Sequence, residues 1–378
     1  MKKKTLIYLF LFLGFFYPLH SEINQGEILY KDPPPHRKIN MYIDFISNIH
    51  HNIVEKNVFS GPLFSTDSLK FDLRGKANEK ISYRFVQQMK PKDDEDPKMD
   101  HSTIINDVAY LKYKFHDQLY LLIGKQPFSF GSMEYSGGDF HVYPPYTYTD
   151  VLKKENPIGI NFIYTPKKNH EIQFQIVNNI YTKQFQSNTT EKKISYPPIG
   201  YSINWNGDFF KKHLKNRWSY SIFQEKDKEK FWKLLALGSK LDLKPISIEA
   251  DYIFSDEDIE KNGEITKIFR SLNLASVKYG NYFLKLKYNI LPQWYLFAKG
   301  MYEIGIYKEL NVMEKNKSFK KSYNYSGGIE YRPIKHYDDL RLYFIYQQNN
   351  VYYLYFMKQK NKNDHNFSFG LSYRVKLF

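Results

Sequence analysis

Residues 365–377, HNFSFGLSYRVKL, decide the fold. Apolar and aromatic residues occupy every second position of this stretch, and small or charged residues stand between them. Successive side chains of a β-strand point to opposite faces, so a period of two predicts a strand with one apolar and one polar face. Residues 68–74 and 245–254 alternate in the same way. The chain is therefore predicted to be all-β.

The composition narrows the class further. The chain has 378 residues, a formal net charge of +15, no cysteine and 18% aromatic residues. Its mean hydropathy of −0.58 argues against a helical membrane protein, whereas a membrane β-barrel tolerates it because half of each strand faces water. Tyrosine in particular suits a surface that meets both lipid and water. The absence of cysteine excludes a disulfide scaffold, thiolate metal sites and a cysteine nucleophile.

The alternating segments predict about sixteen strands. Many of them run to about ten residues, the length a tilted strand needs to cross a bilayer, whereas strands of a soluble β-sandwich are usually shorter. We predict strands at residues 38–49, 68–75, 80–89, 105–115, 119–126, 157–165, 170–180, 197–206, 215–225, 231–243, 245–255, 272–289, 293–304, 322–333, 338–358 and 365–378.

The connections between these strands alternate in length, as in outer-membrane barrels with short periplasmic turns and long external loops. A sandwich has no reason to sort its connections this way. We treat residues 338–358 as one strand, because dividing them would break the alternation of short and long connections. The short set is 76–79, 116–118, 166–169, 207–214, 244, 290–292 and 334–337, and the external set is 50–67, 90–104, 127–156, 181–196, 226–230, 256–271, 305–321 and 359–364.

The N-terminus reads as an export signal. Three lysines at positions 2–4 precede an apolar stretch at 5–19, and Ser21 is a small residue before a plausible cleavage point. The apolar stretch is short for a membrane anchor. We predict a signal peptide at 1–21, a periplasmic lead-in at 22–37 and an outer-membrane β-barrel at 38–378.

Four stretches of the chain resemble the phosphate-selective porin O and P family, in that family's order. They are residues 107–135 (DVAYLKYKFHDQLYLLIGKQPFSFGSMEY), 157–164 (PIGINFIY), 282–302 (YFLKLKYNILPQWYLFAKGMY) and 328–333 (GIEYRP). The resemblance implies a homotrimeric porin of sixteen strands whose third loop, here 127–156, folds into the lumen. In this chain lysines take most of the positions where well-known members carry arginines. Phe378 suits the terminal aromatic that barrel-assembly machinery reads.

The alternation assigns the apolar face to lipid and the polar face to the lumen. Cationic side chains around a narrow pore favour anions. Lys125 is added because it stands at the start of the third loop. The acidic residues expected opposite the cations are Asp72, Glu249, Asp251, Glu303 and Glu330. The predicted pore-lining and anion-binding residues are Lys70, Arg74, Arg84, Lys112, Lys114, Lys125, Arg217, Lys285, Lys287, Lys299, Arg341 and Arg374.

These observations predict a passive diffusion channel for small hydrophilic, preferentially anionic solutes of the phosphate or polyphosphate type. The chain carries no phosphate-binding loop, dinucleotide fingerprint, HExxH sequence or nucleophile elbow. We therefore expect no catalysis, cofactor, metal or nucleic-acid partner. The expected partners are outer-membrane lipid, small anions, two further copies in a homotrimer and the assembly machinery. Two alternatives remain: a barrel enzyme of the lipase or protease type, and a plugged structural or adhesion barrel.

Overall fold

The computed structural model describes residues 39–54, 58–91, 102–136, 156–181, 198–225, 229–265, 276–308, 318–334, 340–354 and 357–377. The predicted signal peptide and lead-in lie outside these residues. The strands are β1 Ile39–Val54, β2 Val58–Lys76, β3 Ile81–Pro91, β4 Ser102–His116, β5 Leu119–Lys125, β6 Ile158–Lys167, β7 His170–Asn178, β8 Ile199–Phe209, β9 Leu214–Gln224, β10 Phe231–Leu243, β11 Ile246–Glu257, β12 Val277–Leu291, β13 Trp294–Tyr307, β14 Ser318–Tyr331, β15 Leu340–Tyr353 and β16 Lys362–Lys376.

The sixteen strands form one closed antiparallel barrel in sequence order. Each strand pairs with its neighbours along the chain, and the ring closes where β1 pairs with β16. The predicted barrel and strand count are confirmed. Asn349 and Asn350 both lie in the ladder between β14 and β15, so β15 is a single strand, as the alternation required.

The barrel has an apolar outer face and a polar inner face. Large apolar side chains such as Leu111, Leu284 and Phe369 are more than half exposed and point outward. The neighbouring positions hold polar side chains such as Asn161 and Ser372, which are fully buried inside the barrel. This arrangement is the reverse of a soluble protein, and it fits a barrel whose outer face meets lipid. Among the described residues, no helix is long and apolar enough to cross a membrane.

One end of the barrel carries short turns and the other carries mostly long loops. At the short-turn end, the strands from β2 to β13 are joined by connections such as 117–118, 168–169 and 292–293. The long-loop end carries 126–157, 179–198 and 258–276. The prediction of a loop at 50–67 is wrong. Residues 50–54 and 58–67 belong to β1 and β2, which pair up to Val54 and Val58 with two register shifts, and only 55–57 separate the strands.

The first part of the third loop, 126–157, is described up to residue 136. It contains the one-turn helix α1, Met133–Ser136. Phe128 and Phe130 are buried in a cluster with Phe223 and Trp232, which belong to β9 and β10. Residues 137–155, the greater part of this loop, lie outside the described residues.

Candidate functional site

The structure places the predicted cationic residues, except Lys125, on the inner face of the barrel. Each pairs across the ladder with residues of the inward face. Lys70, for example, is paired with Asp44 of β1 and Gln88 of β3, both of which are buried. The inner set is Lys70, Arg74, Arg84, Lys112, Lys114, Arg217, Lys285, Lys287, Lys299, Arg341 and Arg374.

Lys125 lies on the outer face, in contrast to the prediction. In the ladder it stands opposite Ala109 of β4 and Ile158 of β6. Ile158 is exposed, as is Ile123, two positions earlier on the same strand. Directly paired residues of a sheet share one face, so the Lys125 side chain leaves the strand on the side away from the lumen.

Among the described residues, the densest group of inner cations surrounds Glu330 near the short-turn end of β14. Arg332 Nε donates to Glu330 Oε1 at 2.5 Å, Lys287 Nζ lies 3.3 Å from Oε2, and Arg341 Nε lies 3.9 Å from Oε1. The Tyr295 ring lies 4.6 Å from Lys287 Nζ and 4.2 Å from Arg332 Cζ, within range of cation–π attraction. We call Lys287, Arg332, Arg341 and Glu330 the Glu330 cluster. It carries three positive charges and one negative charge.

A second group lies on β16 and β1 to β3 at the same end of the lumen. Asp72 accepts hydrogen bonds from Arg74 and from Arg84, whose Nη2 donates to Oδ2 at 2.9 Å. Asp44 accepts two hydrogen bonds from Arg374, each at 2.6 Å. Planar guanidinium groups match carboxylates in this two-pronged geometry. Each carboxylate therefore fixes the position of the guanidinium groups around it.

In these groups the carboxylates lie behind the cations. Glu330 is 0% exposed, whereas Lys287 is 21% and Arg341 is 18% exposed. Asp72 is 1% exposed and Arg74 13%. Asp44 is 2% exposed, against 24% for Arg374. Lumenal water therefore meets positively charged groups first, although every cation named here has a carboxylate partner.

Other predicted residues have different surroundings. Lys299 is almost fully buried, and its Nζ donates to Glu134 of the third loop. Lys112 is buried with its Nζ 4.5 Å from the Tyr120 ring centre, and Arg217 is buried opposite Asn206. Lys114 pairs at 2.6 Å with Asp117 in the turn after β4. Lys299, Lys112 and Arg217 therefore contact the loop or the wall more than lumenal water, whereas Lys114 lies at the turn with 38% of its side chain exposed.

Among the described residues, inner cations that the sequence prediction did not contain include Lys240, Lys320 and Arg332. Lys240 Nζ lies 2.9 Å from Glu249, which also pairs with Lys285 at 3.2 Å. Lys240 is in phase with Trp232 and Leu234, so the alternation of β10 could have revealed it. Arg332 follows the last residue of β14, and a sequence pattern gives no face to a residue just past a strand end.

The described part of the third loop is hydrogen-bonded to the inner wall. Asp251 of β11 accepts from Ser132 Oγ at 2.6 Å and from the backbone N–H groups of Met133 and Glu134 at 2.9 and 2.8 Å. Further along the wall, Gln175 Oε1 accepts from the Ser129 backbone N–H at 2.8 Å. Buried polar groups are costly unless paired, so these bonds hold 129–134 firmly against β7 to β11.

The sixth loop, 258–276, also contacts the inner wall where it is described. Lys261 and Glu225 form an ion pair in which both side chains are buried. Burial raises the pKa of the Glu225 carboxyl even though Lys261 opposes that effect. Glu264 accepts from Lys320 at 2.8 Å and from the Tyr353 hydroxyl at 2.6 Å. Each of these two carboxylates at the long-loop end is therefore paired with a cation, Glu225 with Lys261 and Glu264 with Lys320.

A family model for phosphate-selective porin O and P matches residues 64–374. The chain belongs to this family. An outer-membrane porin channel is the function that the family and the barrel support. Comparison with curated protein sequences gives no significant match.

Solved structures of outer-membrane proteins share the fold at low sequence identity. The outer membrane channel DcaP of Acinetobacter baumannii aligns with a TM-score of 0.65 at 11% identity, over 89% of this chain and 97% of that one. An anion-selective porin from Comamonas acidovorans gives 0.57 at 8% identity, over 89% and 99%. OmpT of Vibrio cholerae, solved in a trimer form, gives 0.57 at 11%, over 89% and 99%. At these identities the likeness shows the fold alone.

Within the ten described ranges, no group of three or more His, Cys, Asp or Glu residues is arranged to hold a metal ion.

Proposed function

We propose that this porin is a passive diffusion channel that prefers small anions of the phosphate type. The observation that carries the proposal is the arrangement of charge at the short-turn end, where cations face lumenal water and their carboxylates lie behind them. A passing anion approaches the cations closely and the carboxylates only at longer range. Because Coulomb energy falls with distance, the nearer charge dominates even where the two are equal in number.

The excess of cations adds to this effect. The Glu330 cluster has a net charge of +2, and the group of Asp72, Arg74 and Arg84 has a net charge of +1. A cationic lining lowers the electrostatic barrier for anions and raises it for cations. Since each cation is also held by a carboxylate, we expect a moderate preference, weaker than an unpaired ladder of cations would give.

We propose the third loop as the constriction. Its first part is bonded to the inner wall through Asp251 and Gln175, which directs the chain along the lumenal side at that point. Long loops without regular structure are usually functional. The aromatic and glycine-rich remainder of the loop, 137–155, would then narrow the channel.

The remaining parts of the proposal concern assembly. Residues 1–21 would be removed after export, the short turns would face the periplasm and the long loops the exterior, and β16 with Phe378 would be read by the assembly machinery. A homotrimer is consistent with the trimer form of the similar Vibrio cholerae protein. Solutes would move down their gradients without a cofactor and without catalysis.

Planar-bilayer recording tests the proposal against its rivals. The purified protein should insert as ohmic channels, and added phosphate or pyrophosphate should reduce the chloride current by competing for the cationic lining. Insertion without any conductance would favour a plugged structural barrel. Hydrolysis of a lipid or peptide by non-conducting protein would favour a barrel enzyme.

A further inference from the structure

The outer face carries a groove between β14 and β15 that the transport function does not use. It has a volume of about 480 Å³ and is lined by Lys321, Tyr323, Tyr325, Asn350 and Tyr352. All five residues alternate with inward-facing neighbours, so they point away from the lumen. The groove lies in the half of the wall nearer the long loops.

The two adjacent lysines of β14 illustrate the contrast between the faces. Lys320 points inward, is buried, and pairs with Glu264 at 2.8 Å and Glu303 at 2.9 Å. Lys321 points outward and is exposed, and no described residue forms an ion pair or hydrogen bond with its ammonium group. Lys321 lies on the long-loop side of an apolar outer wall. An exposed cation at that level can contact an anion at the membrane surface.

Aromatic residues mark the height of the groove. Tyr252, Tyr282, Tyr302 and Tyr323 are paired across β11 to β14, and their rings follow one another at 5.0, 6.2 and 5.1 Å. Tyr352 continues the row at 5.9 Å from Tyr323. Rows of this kind form the aromatic girdles that sit at the level of lipid headgroups. Apolar side chains, including Leu296 and Phe344, lie on the side toward the short turns.

The groove offers hydrogen-bond donors around a cation. Tyrosine hydroxyls donate, and Gln348 Nε2 donates to Asn350 Oδ1 at 3.3 Å, which leaves the Asn350 amide nitrogen to act as a donor. A lysine surrounded by hydroxyl and amide donors complements a phosphate oxygen better than a neutral or cationic group. We propose that this groove binds the phosphate-bearing headgroup of a membrane lipid in the outer leaflet.

This inference rests on the outward orientation of the long loops in the proposed function, but not on conduction. The two therefore fail separately. A Lys321→Gln channel should conduct with the same single-channel current and ion preference as the wild type, because Lys321 is outside the lumen.

Native mass spectrometry of the full mature protein in neutral detergent tests the proposal. The probes are phosphatidic acid, phosphatidylcholine and inorganic phosphate. We expect the wild type to bind phosphatidic acid and to bind phosphatidylcholine far more weakly. Lys321→Gln should weaken phosphatidic acid binding about tenfold, the scale of a lost charge-assisted hydrogen bond, and Tyr352→Phe about threefold.

Lys233→Gln is the matched control. Lys233 is an exposed, outward lysine on β10 at the long-loop end, away from the groove. We expect it to change phosphatidic acid binding by about twofold or less, as diffuse surface charge would. Equal losses from Lys233→Gln and Lys321→Gln, or no loss from Lys321→Gln, would overturn the groove as a site. Displacement of the lipid by millimolar inorganic phosphate would instead assign the groove to a free anion.

Discussion

Arg374 and Asp44 join the last strand to the first. The guanidinium Nε and Nη2 atoms of Arg374 each donate to a carboxylate oxygen of Asp44 at 2.6 Å, and the two residues are direct partners in the ladder between β16 and β1. This contact lies where the barrel closes. It also holds a cation toward lumenal water and a carboxylate behind it, so it links the closure of the sheet to the charge of the pore.

Asp44→Asn should therefore lower the stability of the barrel and raise its anion preference. Losing the charged hydrogen bonds should cost about 1–3 kcal/mol of unfolding free energy. It also removes one negative charge, so the anion preference should rise. Heat-dependent mobility in gels measures the first effect and the reversal potential measures the second. Unchanged stability would mean that the contact contributes nothing to closure.

The Glu330 cluster allows a test within one site. Arg341→Gln removes an exposed cation and should reduce the anion-to-cation permeability ratio by about twofold. Glu330→Gln removes the carboxylate behind it and should raise that ratio by a similar factor. The reversal potential in a salt gradient measures both. Equal shifts in the same direction would contradict the layered arrangement of charges.

The face assignment of Lys125 has its own matched pair. Lys125→Gln and Lys70→Gln each remove one positive charge, from the outer and inner face respectively. We expect Lys70→Gln to lower the anion preference and Lys125→Gln to leave the reversal potential unchanged. A larger effect from Lys125→Gln would show that the register of β5 is wrong.

The third loop should loosen when its anchor on β11 is removed. Asp251→Asn loses charged hydrogen bonds to Ser132, Met133 and Glu134, at a cost of about 1–3 kcal/mol. We expect a larger and noisier single-channel current. Glu249→Gln is the control, because it removes the same charge from the same inner face without touching the loop. Identical currents from the two variants would count against a loop that narrows the channel.

The ion pair of Lys308 with Asp258, just beyond the ends of β13 and β11, predicts a pH dependence. Burial raises the pKa of Asp258, but hydrogen bonds from Lys308 and the Phe231 backbone outweigh it and lower the pKa below 3.8. Burial lowers the pKa of Lys308, but hydrogen bonds to Asp256 and Asp258 outweigh it and raise the pKa above 10.5.

Asp258 thus stabilises the fold above its ordinary pKa, and this contribution is lost as the pH falls through the lowered value. Lys308 stabilises the fold below its ordinary pKa, and this contribution is lost as the pH rises through the raised value. Lys308→Met should destabilise the protein at pH 7 by no more than about 1 kcal/mol, because solvent screens the pair. In denaturant titrations the difference from the wild type should shrink as the pH falls below 3.8, the ordinary pKa of the Asp258 carboxyl. A constant difference at all pH values would exclude the ion pair as its source.

The sequence predicted the barrel because alternation is local. Residues 365–377 fix both faces of β16 without reference to any other strand. Residues 58–67 were not predicted as strand because Gly61, Pro62 and several hydroxyl residues resemble a turn, whereas in the structure they pair with β1 across the connection 55–57. The stretch Leu121-Leu122-Ile123 interrupts the alternation of β5, which left the face of Lys125 open to the wrong choice.

The layering of charge was beyond the sequence. Glu330 meets Lys287, which is 43 residues away, only because β12 and β14 both flank β13 in a fixed register. The pairing of Arg74 with Asp72 could have been predicted from the sequence, since residues two apart on a strand share a face. Whether a cation lies in front of its carboxylate or behind it depends on side-chain burial, which alternation does not encode.

The reversal potential of the wild-type channel in a potassium chloride gradient tests the central claim most directly. Cations exposed to lumenal water in front of buried carboxylates predict that chloride is more permeant than potassium. The reversal potential should therefore be shifted toward the equilibrium potential of chloride. A shift toward the equilibrium potential of potassium would contradict the account, because the carboxylates would then govern the ions despite their burial.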